Sequence, residues 1–182
     1  ILGAMSLDLF AVLFGGAVAL LPVFAKDILA VGPSGLGWLR AAPSIGSALM
    51  IIAMLFLPPI KKAGKILLFV VSGFGLCMIG FALSENYYLS LLMLALSGAF
   101  DNVSVVIRNT FVQTLVPPMM KGRVSAVNSI FIGSSNEIGA FESGTAAKLM
   151  GTVPSVVFGG GMTLLVALIT KWKFKELVEY EF

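Results

Sequence analysis

An all-α membrane protein with six transmembrane helices is the fold class that this sequence predicts, and three observations carry it. Of the 182 residues, 58% are hydrophobic and only 12% are charged, against about a quarter charged in a soluble domain. The charges leave six apolar stretches near the ~20 residues that a helical crossing of a bilayer requires. Lys and Arg collect in alternate connections between those stretches, as they do in cytoplasmic loops. A soluble enzyme and a nucleic-acid-binding module are excluded, and so is disorder, because this much apolar surface must be buried. The net charge of +3 reflects loops at a membrane surface and not a nucleic-acid partner. Cys77 is the only cysteine, which excludes a disulfide scaffold. The absence of histidine excludes a histidine metal site and any His-based acid, base or triad. No cofactor and no enzymatic activity are predicted.

The first helix is read as Leu9 to Ala25, between Asp8 and Lys26. Gly32-Pro33-Ser34-Gly35 then reads as a turn, and the second helix as Ala41 to Ile60, with Pro58-Pro59 at its end. The third, Ile66 to Ser84, follows Lys61, Lys62 and Lys65. The fourth runs from Asn86 past Asp101 towards Val116 and stops at Pro117-Pro118. The fifth covers Val124 to Ala147, with Gly151 as the turn residue after it, and the sixth spans Leu149 to Thr170. Short connections make these up-and-down neighbours, and the lack of period-two alternation argues against a transmembrane barrel.

The basic residues of the loops set the orientation. Those between helices two and three, Lys121 and Arg123 between four and five, and Lys171, Lys173 and Lys175 after six all share one side. That side is cytoplasmic and holds both ends of the chain. Lys26 and Lys148 lie in the opposite loops, and Arg40 about one turn into helix two. Trp38, Tyr87, Tyr88 and Trp172 suit interfacial anchors. The chain starts at Ile1 in apolar sequence without signal-peptide features, so it is expected to be a piece of something longer.

Charges inside the spans are uneven. Helix one has Asp8, helix two Arg40, helix four Asp101 and Arg108, and helix five Glu137 and Glu142, while helices three and six have none. Spans with ionisable groups should face protein or a watery cavity, and plain spans suit lipid. The order polar, polar, plain, repeated once, is that of two three-helix repeats, a transporter signature.

Four strings make the chain recognisable: SLDLFAVLFGGAVALLPVFAKDIL from Ser6, GPSGLGWLRAAPSIGSALM from Gly32, GAFDNVSVVIRNTFVQTLVP from Gly98 and KGRVSAVNSIFIGSSNEIGAFESG from Lys121. They resemble the C-terminal six-helix half of a major facilitator superfamily transporter, nearest the branch of bacterial efflux permeases that includes the enterobactin exporter. The resemblance covers nearly the whole chain. It implies twelve helices in two halves, with residues 1–182 as helices seven to twelve and the N-terminal half absent. It also implies that the first, second, fourth and fifth helices of the half build the cavity, with the third and sixth at the periphery. The family usually has an acidic residue and an arginine in the loop after Thr114, where this chain has Pro118 and Lys121. That departure takes away the acidic member of a loop ion pair, while the cytoplasmic loop Lys121, Gly122 and Arg123 keeps the basic role through Lys121 and Arg123.

Asp101 and Arg108 are seven residues apart and share a helix face. Ser97 and Ser104 fall near the same stripe. A rise of about 10 Å between the two charges is long for a direct pair, so Asp8 is a candidate partner for Arg108. Glu137, beside Asn136, lies near mid-bilayer, where a carboxylate removed from water can load and release a proton. Glu137 first, and Asp101 second, are the candidates to couple proton movement to transport. The blander alternatives are a structural pair for Asp101 and Arg108, and interhelical hydrogen bonding for Glu137. Glu142 and Arg40 are candidate gating or helix-pairing charges near the outer side. Gly15-Gly16 and Gly159-Gly160-Gly161 lack the P-loop ending and suit close helix packing.

The predicted activity is proton-driven export of a small molecule, such as a siderophore or drug-like compound, across the bacterial cytoplasmic membrane. The proton gradient is the energy source, and the bilayer and the missing half or a second copy of the chain are the partners. A non-transporting six-helix scaffold or assembly subunit is the alternative.

Overall fold

The computed structural model of the protein describes residues 17–57 and 62–173, and the regular structure among them is helical. Helix α1 is the run over 17–28; it passes from a 3-10 turn over Ala17–Leu20 through Leu21–Val23 to a π turn over Phe24–Ile28. Its earlier predicted residues, Asp8 among them, lie outside the described residues. Five long helices follow: α2 (Gly32–Phe56), α3 (Ala63–Leu83), α4 (Tyr87–Leu115), α5 (Lys121–Met150) and α6 (Thr152–Lys173), with a 3-10 turn over Pro118–Met120 before α5.

Two predicted connections turn out to be helix. Gly32-Pro33-Ser34-Gly35 is the first turn of α2, because Pro33 occupies the position where a helix loses no hydrogen bond for want of an N–H. The actual turn is Leu29 to Val31, where Ala30 takes φ +50° and Val31 N–H donates to Ala25 C=O at 2.9 Å. Arg40 therefore sits more than two turns into α2, roughly 12 Å from Gly32 at 1.5 Å per residue. Likewise Lys121, Gly122 and Arg123, predicted as loop, form the first turn of α5. Cations at a helix N-terminus oppose the macrodipole by a few tenths of a kcal/mol, so these charges do not serve helix stability. The other ends follow their sequence signals. Asn86 caps α4, its side-chain oxygen accepting from Tyr88 N–H at 2.9 Å and Leu89 N–H at 3.3 Å. Gly151, at φ +95°, separates α5 from α6.

Among the described residues, four helices, α2, α3, α4 and α6, are long and apolar enough to cross a membrane. Helix α5 has 30 residues, about 45 Å of helix, but its composition is too polar to qualify alone. Phe56, Phe69 and Leu55 are among the large apolar side chains left exposed on the spans, as expected where the surrounding medium is hydrocarbon.

The most extensive helix contacts are α2 with α4, α3 with α6 and α3 with α4. One apolar cluster joins α3, α4 and α6 through Leu67, Val71, Ile107, Phe111 and Ala167. A second joins α1, α2, α3, α4 and α6 through Leu21, Phe24, Leu39, Phe81, Leu94 and Val156. Phe24 and Phe81 stack in it with centroids 4.6 Å apart. Helix α3 is therefore central and not lipid-facing alone: a span without charges can pack on two neighbours as readily as on lipid.

Candidate functional site

The site is built by the crossing of α2 and α4. A Cβ added at Gly46 would run into the backbone of Ala95, and one at Gly98 into the backbone of Pro43, so the two helices meet backbone to backbone. Asn102 Nδ2 donates to Ser47 Oγ at 2.9 Å across the same seam. The seam therefore pairs residue 43 with 98, 46 with 95 and 47 with 102.

This contact turns one face of each helix toward a cavity of about 550 Å³. Arg40 reaches it from α2, Ser97 and Asp101 from α4, and Asn136 from α5, while Phe74 and Met78 of α3 form apolar wall. A second space of about 380 Å³ lies along Ser44 and Ser47 of α2, and Asp101 borders both. Asp101 and Asn136 stand roughly 21 Å and 22 Å along helices of 29 and 30 residues, near the middle of each. The arrangement brings a permanent cation, a carboxylate and an amide to one mostly apolar space at mid-span, where polar groups can orient a guest molecule.

Of the predicted residues, Asp101 and Asn136 line the cavity, and so does Arg40, which had been expected nearer the surface. Glu137 is exposed and is not among the residues lining this cavity. One step along α5 turns a side chain by about 100°, which separates it from Asn136. Arg108 is buried, 7% exposed, with Nε donating to the Ser104 carbonyl at 3.3 Å. It continues the stripe of Ser97, Asp101 and Ser104 but does not line the cavity. Glu142 is half-buried on α5. Sequence reasoning missed Pro43 and Gly98 as the seam and gave α3 no part in the wall. The signal for the seam was present as Arg40, Pro43 and Ser47, spaced three and four apart on an otherwise apolar span. Among the described residues, no group of Cys, Asp or Glu could hold a metal ion.

Long apolar helices around such a cavity are the features of a multi-pass membrane transporter. The chain belongs to the transmembrane secretion effector family of the major facilitator superfamily, whose profile matches residues 4–181; it is a transporter-family protein and not an enzyme. It is similar to the enterobactin exporter EntS of Escherichia coli O1:K1 / APEC, 26% identical over 166 residues that make up 88% of this chain. The enterobactin exporter EntS of Shigella flexneri is similar to the same degree, 26% over 166 residues. The matched chain spans 40% of the length of each of these relatives. No solved structure matches the chain.

Proposed function

We propose that this chain is the C-terminal six-helix half of a major facilitator exporter in a bacterial cytoplasmic membrane, with both ends on the cytoplasmic side. Its cargo is a small amphipathic molecule, siderophore-like or drug-like, moved outward against an inflow of protons. The single observation that carries the reading is the convergence of Arg40, Asp101 and Asn136, from three helices, on one cavity. Charged groups held inside a membrane are costly and mark transport pathways by default.

Two three-helix repeats are supported by the helix pairing. Exchanging α1, α2, α3 with α4, α5, α6 converts the α2–α4 contact into the α5–α1 contact and leaves α3–α6 unchanged, and all three contacts are present. The missing N-terminal half, or a second copy of this chain, is the proposed cover for α5. That helix exposes Ile130, Phe131, Ile138 and Phe141.

Asp101 is the better-placed proton carrier, because it borders both spaces; Glu137 is the alternative. A proton on Asp101 removes the charge that otherwise holds the cavity polar, and its release restores that charge. The test is efflux from proteoliposomes containing the intact protein under an imposed pH gradient. Asp101→Asn is expected to lose proton-driven efflux at least tenfold while Glu137→Gln retains most of it; the reverse result assigns the proton to Glu137. If Asp101→Asn, Arg108→Gln and Glu137→Gln combined leave a folded protein with unchanged function, the scaffold reading replaces the exporter.

A further inference from the structure

We infer that the cavity takes a zwitterionic amphipath, a molecule carrying an acidic and a basic group several ångströms apart on an apolar body, with the acid on Arg40 and the base on Asp101. The inference rests on the exporter reading for the purpose of the cavity, but its chemistry comes from the lining. Among the described residues, the charged groups that face this space are Arg40 and Asp101. From α1 the lining is Val18 and Ala19, from α3 Phe74 and Met78, and from α5 Asn136 and Ala140, all uncharged.

An arginine cannot shed its charge to suit an apolar surrounding, so Arg40 presents a positive group to any guest. A purely cationic guest would meet that charge, and a purely anionic guest would meet the Asp101 carboxylate; each is a like-charge encounter of the kind that rejects wrong partners. A guest with both charges satisfies both residues. Spacing narrows the class. The α2–α4 contacts, 43 with 98, 46 with 95 and 47 with 102, set Arg40 level with residues between 89 and 95 on α4, at least six residues before Asp101 and therefore at least roughly 9 Å from it along the axis. An α-amino acid, with adjacent charges, cannot bridge that rise; a molecule with charges at the two ends of an apolar body can. A volume of about 550 Å³ is within the range of drug-sized binding sites. Asn136 offers an amide to polar atoms between the ends. The coupling sign also fits: a guest ammonium and a proton compete for the same Asp101 carboxylate, as exchange of cargo against protons requires.

Triphenylalanine is a suitable probe, since three extended residues span at most about 10 Å and its ends can be blocked separately. Four forms are compared by calorimetric titration of the intact protein in detergent: free ends, N-acetylated, C-amidated and both blocked. The free-ended form is expected to bind at least tenfold tighter than either singly blocked form. Arg40→Gln should erase the gain from the free carboxylate and keep that from the free amine, and Asp101→Asn should do the opposite. Equal binding of the four forms, binding of none, or the same shift of all four by both substitutions overturns the inference. Proton-driven efflux is measured separately: its absence with the charge preference intact defeats the exporter reading and leaves the binding assignment standing.

Discussion

Helices α3 and α5 lie in one bundle and are held by different means. Helix α3 is plain, with half of its apolar window buried, and it is packed between α4 and α6. Helix α5 is longer and polar, and its only buried residues, Ser135, Gly139 and Ser143, form a stripe four residues apart. A four-residue repeat keeps to one face of a helix, so α5 touches the bundle along a single line of small side chains. The contrast separates two tasks within the chain. The α2, α3, α4, α6 core fixes where Arg40 and Asp101 stand, and α5 brings Asn136 to the same cavity on a helix that this bundle holds only along that line, with the rest of its surface left for the proposed cover.

The strongest way to break that comparison is to attack the core at its tightest point. Gly98→Leu places a side chain into the backbone of Pro43, and Gly46→Leu does the same against Ala95. Backbone cannot repack as a side chain can, so each should cost about 3 kcal/mol or more. Loss of folded protein on size-exclusion chromatography, or a matching drop in a denaturant titration in micelles, is the expected result. Near-normal stability would mean that the α2–α4 seam is not the backbone contact described.

Second in size is Gly160→Val. An added Cβ there lies 2.7 Å from Ile79 Cγ1 and 2.8 Å from the Gly75 carbonyl oxygen. Ile79 can shift and the carbonyl cannot, which predicts a loss of about 1–3 kcal/mol, read as a lowered midpoint of thermal unfolding. A neutral outcome would show that α3 and α6 can slide apart, and would blur the distinction between fixed core and loose α5.

How much of this was legible in the sequence follows from which property each feature depends on. The apolar spans depend on hydropathy, and α3, α4 and α6 lie within a few residues of their predicted places, whereas α2 starts nine residues earlier than Ala41. The Gly32–Gly35 stretch was misread because Gly-Pro-Ser-Gly carries the same local signal in a turn as in a proline-started helix. Arg40 was legible as a charge within a span but not as a cavity residue. The direction of its face is set by the register of α2 on α4, which hangs on Gly46 and Gly98, more than fifty positions apart. Asn136 and Glu137 are adjacent and equally polar, so sequence could not tell which one lines the cavity.

A smaller effect tests the polar part of the seam. Asn102→Val removes the hydrogen bond to Ser47 and also an amide oxygen, Asn102 Oδ1, that has no partner among the described residues. Interhelical hydrogen bonds in membranes average about 0.6 kcal/mol, and deleting the unsatisfied oxygen offsets part of that. The net change should be under about 1 kcal/mol by the same denaturant titration. A loss several times larger would show that the bond, and not the glycine contact, sets the register.

The smallest effect has the opposite sign and probes α5 directly. Nothing lies within 4 Å of a Cβ added at Gly133 or Gly144, and alanine is favoured over glycine in a helix interior by up to about 1 kcal/mol. Gly133→Ala and Gly144→Ala should therefore leave stability unchanged or raise it slightly, where a substitution at Gly98 is expected to destabilise the core. If α5 must bend during transport, the stabilised variants should turn over more slowly while binding their cargo as before, which a comparison of efflux rate with equilibrium binding would reveal. A clear destabilisation at Gly133 would carry a different message. It would mean that another helix lies against that face in the intact protein, closely enough to exclude a methyl group, and α5 would then be a packed interface and not the loosely held side of the cavity.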